Sequence, residues 1–146
     1  MLGSVGRLTG EKNSEFLLDV LAEVLVRAPH AYLLLIGEGP LRDRLVSKAQ
    51  RGGFGERLVL PGTRPDVPAI LRNVMDVFVF PSPPPPRGDE ALPIAVVEAQ
   101  VAGLPTVISD GIPAEAIIVP ELVVQIPEAA GAAKWADRPP SLLFTF

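Results

Sequence analysis

Cysteine is missing from this chain altogether, which excludes disulfides and thiolate-bound metal. A single histidine, His30, leaves few nitrogen ligands for a transition metal, so no metal site is expected. Positive charge is also scarce. Against 17 Asp+Glu stand 13 Lys+Arg, a formal balance of −4, which is not the broad basic footprint of a nucleic-acid binder. The sequence has no apolar run of about 18 residues and no basic-then-apolar leader, so neither a membrane span nor a signal peptide is indicated. The expectation is a cytoplasmic protein, with peripheral contact at the inner face of a membrane left open. What the chain does have is 48% hydrophobic residues in 146, enough to bury one real core and too few residues for two substantial ones.

That apolar content is organised as short strand-like runs alternating with helical patterns. Residues 2–8 read as a strand. Phe16, Leu17, Val20, Leu21, Val24 and Leu25 recur at helical spacing, with Asn13 and Ser14 as candidate caps in front and Pro29 as a stop behind. Ala31 to Ile36 is a continuous apolar run closed by Gly37-Glu38-Gly39-Pro40, the look of a buried parallel strand feeding a helix. The alternation continues through RLVLPG, DVPAILRNV, DVFVFPS, PIAVVEAQVAG, PTVISD and VVQIP. Such an order predicts an α/β domain of Rossmann-like type: a mostly parallel sheet, right-handed crossovers, and helices on both faces. The domain is expected over residues 1–137, with 138–146 (RPPSLLFTF) an irregular tail.

In an open parallel sheet, ligands collect outside the carboxyl ends of the strands. Two cations lie there, Arg7 and Lys12, in the loop after the first strand. A planar guanidinium fork and a compact ammonium together suit a diphosphate; two solvated surface cations are the alternative on the loop alone. Gly37-Glu38-Gly39 lacks the third glycine of the dinucleotide fingerprint and reads as a plain strand-to-helix turn.

The stretch DEALPIAVVEAQVAGLP adds a second anion site. Pro93 suits a first helical position, where its missing N–H costs nothing, leaving the amides of Ile94 and Ala95 free for phosphate oxygens. Glu90 precedes the helix and Glu98 lies inside it, with a rise from Pro93 to Glu98 of roughly 7.5 Å. The two carboxylates are therefore placed to flank a bound molecule rather than to touch. Among apolar neighbours Glu98 needs a hydrogen-bonding partner if buried, which sugar hydroxyls would supply; a local polar network or solvent would serve as well.

Taken in order, GRLTGEKN, LLLIGEGPLRDRL, RLVLPGTRPDVPAILRNVMDVFVFPS and EALPIAVVEAQVAGLPTVISD resemble the carboxyl-terminal, donor-binding half of a family 4 glycosyltransferase of GT-B architecture, over roughly residues 3 to 127. The EALP…EAQ variant is similar to enzymes of capsule and exopolysaccharide synthesis. The resemblance implies retaining hexosyl transfer from a nucleotide sugar, a UDP-sugar or GDP-sugar, to a glycan or lipid-linked acceptor, without a metal or other cofactor. It assigns Glu90 to the donor sugar as the catalytic carboxylate, Glu98 to the ribose hydroxyls, and Arg7 and Lys12 to the diphosphate. The amides after Glu90, in Ala91, Leu92 and Ile94, would approach the phosphates, and Thr63 and Arg64 would lie near the base.

Two departures stand out. Ala91 occupies a place where that family usually has glycine, and Ser82-Pro83-Pro84-Pro85-Pro86-Arg87-Gly88-Asp89 is longer than the usual link. Four prolines in a row favour a stiff extended segment that repositions Glu90 or acts as a recognition strand. A GT-B enzyme closes two Rossmann-like domains over its substrates, and this chain supplies one. The acceptor half is missing, so the chain is expected to bind donor and not to turn over by itself. The alternatives are half of a sugar-nucleotide epimerase and a non-catalytic interaction module using the proline-rich loop.

Overall fold

A computed structural model describes residues 1–88 and 92–137. The strands are β1 (Leu2–Val5), β2 (Leu33–Ile36), β3 (Leu58–Gly62), β4 (Val77–Phe80), β5 (Thr106–Ile108) and β6 (Val123–Gln125). Between and after them run the helices α1 (Ser14–Arg27), α2 (Arg42–Arg51), α3 (Val67–Asn73), α4 (Ile94–Val101) and α5 (Ala132–Asp137). The strands form one parallel sheet in the order β3-β2-β1-β4-β5-β6. The order reverses between β1 and β4, and that junction is where an open α/β sheet leaves a crevice for ligands.

The period-two alternation of the strands sorts their side chains into two cores. Leu33, Leu35, Val77 and Val79 join Leu17, Leu18, Leu21 and Trp135 on the α1 and α5 side. Leu34, Ile36, Phe78 and Phe80 join Leu71, Val96 and Ala99 on the α3 and α4 side. Apolar runs with no polar alternation, such as Leu33–Ile36, are what a strand covered on both faces requires.

Several elements differ from the sequence expectation. β1 stops at Val5 rather than running to residue 8, because from Gly6 the chain turns into the loop that carries Arg7. Helix α5 was not expected from its Ala-rich sequence; tertiary packing holds it, with Trp135 edge-on to Phe16 at 5.3 Å and its indole N–H donated to the Pro127 carbonyl at 3.1 Å. Asn13 makes no side-chain cap to α1 and instead takes the left-handed conformation, φ 59° and ψ 39°. Pro93 sits one residue before the helix as its cap, with extended ψ of 101°, so Ile94 and Ala95 still supply the first amides of α4.

The proline-rich segment is not an extended strand. Pro81, Ser82 and Pro83 are buried, residues 85–87 form a turn, and the Pro85–Pro86 peptide is cis. Gly111 packs directly against the backbone of Ser82 and Pro83, the Ser109 hydroxyl donates to the Ser82 carbonyl, and Arg87 pairs with Glu128. These ties fold the segment back onto the domain, which removes the free extended strand that a proline-recognition module would present.

Behind the site, α4 is fixed by a buried amide. Gln100, 2% exposed, donates to the carbonyls of Val96 and Ala116 and accepts from the amides of Ile118 and Val119, both at 2.8 Å. One side chain thereby satisfies backbone groups of a loop that has no ladder of its own.

Candidate functional site

The crevice is built on the loops leaving β1, β2, β3 and β4. Beyond the strands the backbone ladder continues through the loops: the Gly6 amide donates to Ile36 at 3.0 Å, Leu8 to Glu38 at 2.9 Å, and Gly37 to Gly62 at 2.9 Å. Glycine is needed at position 37, where φ is +140° and a Cβ would overlap the Gly6 carbonyl. The Gly-Glu-Gly turn is therefore more than a strand-to-helix connection, since it lets the second loop lie flat against the first and brace Arg7.

Arg7 is exposed and Lys12 half-buried, and both line a small recess at the β1/β4 junction with Ser4, Gly6, Ser14 and Phe80. The Lys12 ammonium lies 5.8 Å from the centroid of the Phe80 ring. On the other side of Arg7, a groove of about 290 Å³ is lined by Gly6, Arg7, Gly37, Glu38, Thr63, Arg64 and Val67. That volume is at the lower edge of small-molecule sites. Arg7, Lys12, Thr63 and Arg64 are thus brought to one edge of the sheet.

Arg64 is held by a residue that the sequence did not single out. Asp66 accepts from its Nε and from Nη2, both at 2.9 Å. The Arg64 hydrogen bond lowers the Asp66 pKa, and the same hydrogen bond and charge raise that of Arg64. Both side chains are about half exposed, 45% each, so the pair contributes geometry more than stability. It holds the guanidinium plane beside the groove.

Glu98 is half-buried and does not line this groove. It lies between α3 and α4 in a second one, about 420 Å³, with Pro68, Leu71, Arg72, Val97 and Val101. Val67 lines the first groove, and Pro68, its neighbour in the first turn of α3, lines the second. Leu92 and Ile94 are exposed, 51% and 58%, at the start of α4. Glu90 and Ala91 lie outside the described residues, as does the 138–146 tail.

Asn13, Phe80 and Asp66 are the residues near this site that sequence reasoning passed over. Asn13 and Phe80 looked like a helix cap and a core strand residue, which are local readings; Asp66 follows Arg64 by two, a spacing that an Arg–Asp turn could have flagged. Among the described residues no helix is long and apolar enough to cross a membrane, and no three potential metal-ligating side chains converge.

Comparison with known proteins completes the description. The profile of the family described as "Glycosyl transferases group 1" matches residues 1–134. The putative glycosyltransferase EpsF of Bacillus subtilis is 32% identical over 137 residues, 94% of this chain and 34% of EpsF. The UDP-Gal:alpha-D-GlcNAc-diphosphoundecaprenol alpha-1,3-galactosyltransferase of Escherichia coli is 34% identical over 109 residues, 73% of this chain and 27% of that protein. The chain therefore spans about a third of the length of these relatives. Among solved structures, Anabaena Alr3699/HepE in complex with UDP superposes on 92% of this chain and 36% of its own, with a TM-score of 0.73 and 22% identity, which shows the shared fold: one Rossmann-like half of a GT-B protein.

Proposed function

The chain belongs to the glycosyl transferases group 1 family, and we propose that it is the donor-binding half of a retaining glycosyltransferase, taking a UDP-sugar or GDP-sugar whose glycosyl group goes to a glycan or lipid-linked acceptor. The observation that carries this reading is that Arg7 and Lys12 line one recess at the β1/β4 junction, in a chain whose overall charge is −4. A net-acidic domain that gathers two cations where the strand order reverses offers a local anion site.

The roles proposed for the other residues extend that reading. With the diphosphate on Arg7, Lys12 and the amides at the start of α4, the base lies in the groove of Thr63 and Arg64. The ribose then falls near the first turn of α3, whose residues Val67 and Pro68 line the two grooves, and Glu98 accepts its hydroxyls. Glu90 addresses the sugar. Charge building on the departing diphosphate would be met by fixed donors, which act best in a water-excluded cleft. A second domain, carrying the acceptor site, closes that cleft, and without it binding persists while turnover does not. The reading needs no metal: Arg7 and Lys12 take the place that a divalent cation has in other phosphate sites. UDP is present in the HepE structure noted above, which agrees with a nucleoside diphosphate as the ligand type.

Isothermal calorimetry of the chain with UDP, GDP, ADP and CDP tests this. Saturable binding of UDP or GDP at sub-millimolar to millimolar concentration is expected. No heat from any of the four at millimolar ligand would sink the reading.

A further inference from the structure

We propose that Phe80 and Asn13 are positioning residues for Lys12, and through it for the donor diphosphate; this rests on the donor-site reading above. Lys12 ends a short turn, Gly10–Lys12, in the loop after β1. Its two sequence neighbours are both fastened to the chain leaving β4. The Ser82 hydroxyl donates to the Glu11 carbonyl at 3.1 Å, and the Asn13 side-chain amide donates to the Pro81 carbonyl at 3.2 Å. Lys12 itself reaches the residue just before those two, its ammonium over the Phe80 ring.

The partners of this lacing do not move easily. Ser82 is 0% and Phe80 4% exposed, and the Phe80 ring stacks at 17° on Phe78, itself fully buried. An aromatic face carries negative potential and attracts an ammonium. Asn13 stands in the left-handed region, which asparagine tolerates far better than most residues. A lysine stem is costly to immobilise, and holding it in place before the ligand arrives reduces that cost on binding. Phe80 and Asn13 would thereby raise diphosphate affinity without touching the ligand.

The test uses the whole chain, with UDP or GDP, whichever the panel shows to bind, and the matching nucleoside. Phe80→Leu removes the ring, Phe80→Tyr keeps it, and Asn13→Gly keeps the left-handed turn while deleting the amide. Phe80→Leu should weaken diphosphate binding about three- to tenfold and leave the nucleoside unaffected. The Lys12 ε-methylene protons, shifted upfield by the ring in the unaltered chain, should return to ordinary positions. Phe80→Tyr should preserve both properties, and Asn13→Gly should weaken the diphosphate selectively. In a Lys12→Ala background neither Phe80→Leu nor Asn13→Gly should have a further effect. Equal losses for diphosphate and nucleoside, losses that persist in the Lys12→Ala background, or unshifted Lys12 protons in the unaltered chain would each overturn the inference. If Phe80→Leu does not fold, Asn13→Gly, outside the core, decides it alone. An unaltered chain that binds neither diphosphate overturns this inference together with the donor-site reading, whereas one that binds while the variants behave like it overturns the inference only.

Discussion

Gly37 lies so close to Gly6 that any side chain on it would overlap the Gly6 carbonyl oxygen, and its φ of +140° is one that side chains resist. The contact joins the loops leaving β1 and β2 backbone to backbone, and it fixes the base of the loop that presents Arg7. Gly37→Ala should therefore cost more than about 2 kcal/mol, from strain and overlap together. Urea denaturation would show a lower midpoint; an unchanged midpoint would mean that the two loops part without cost.

Arg7→Ala and Lys12→Ala should weaken a nucleoside diphosphate far more than the nucleoside. Each removes charge-assisted hydrogen bonding of about 1.5–3 kcal/mol, roughly a 10- to 150-fold rise in Kd. Calorimetry on UDP beside uridine, or GDP beside guanosine, reads the difference. Equal losses for both members of a pair would contradict contact with phosphate.

Glu98 and Glu90 should fail differently. On the proposed roles, Glu98→Gln removes the charged acceptor for ribose hydroxyls and should weaken the bare nucleoside diphosphate. Glu90→Gln should leave that binding nearly unchanged and show its effect only with the intact sugar nucleotide. Each variant is titrated with both ligands, and a loss of the bare diphosphate by Glu90→Gln alone would refute the division of roles.

Asp66 should titrate below the ordinary carboxylate range, because its charged form accepts two hydrogen bonds from Arg64. A lowered folded-state pKa stabilises the fold above the ordinary range, and that contribution is lost as pH falls through the lowered value. Following the Asp66 carboxyl carbon by NMR would show this directly. In Arg64→Ala the titration should move up towards the ordinary range, and nucleoside binding should weaken if the guanidinium borders the base.

Much of this protein is local in origin and so could be read from order alone. Period-two and period-3.6 patterns depend on near neighbours in the chain, which is why β2, β4, α1, α2 and the elements that carry Arg7, Lys12 and Glu98 were legible, and why the succession of loop motifs pointed to the glycosyltransferase family. Tertiary structure decided what depends on distant partners. The proline-rich segment turns back because Gly111 and Ser109 meet it from 27 positions and more away along the chain. Helix α5 exists because Trp135 finds Phe16. Asn13 left its capping role for the Pro81 carbonyl, and Phe80 came under Lys12, only once β1 and β4 lay side by side. Hydrogen bonds and ring contacts of that kind have no periodic trace in a sequence, because their partners are set by strand order, and strand order is a property of the whole packed sheet.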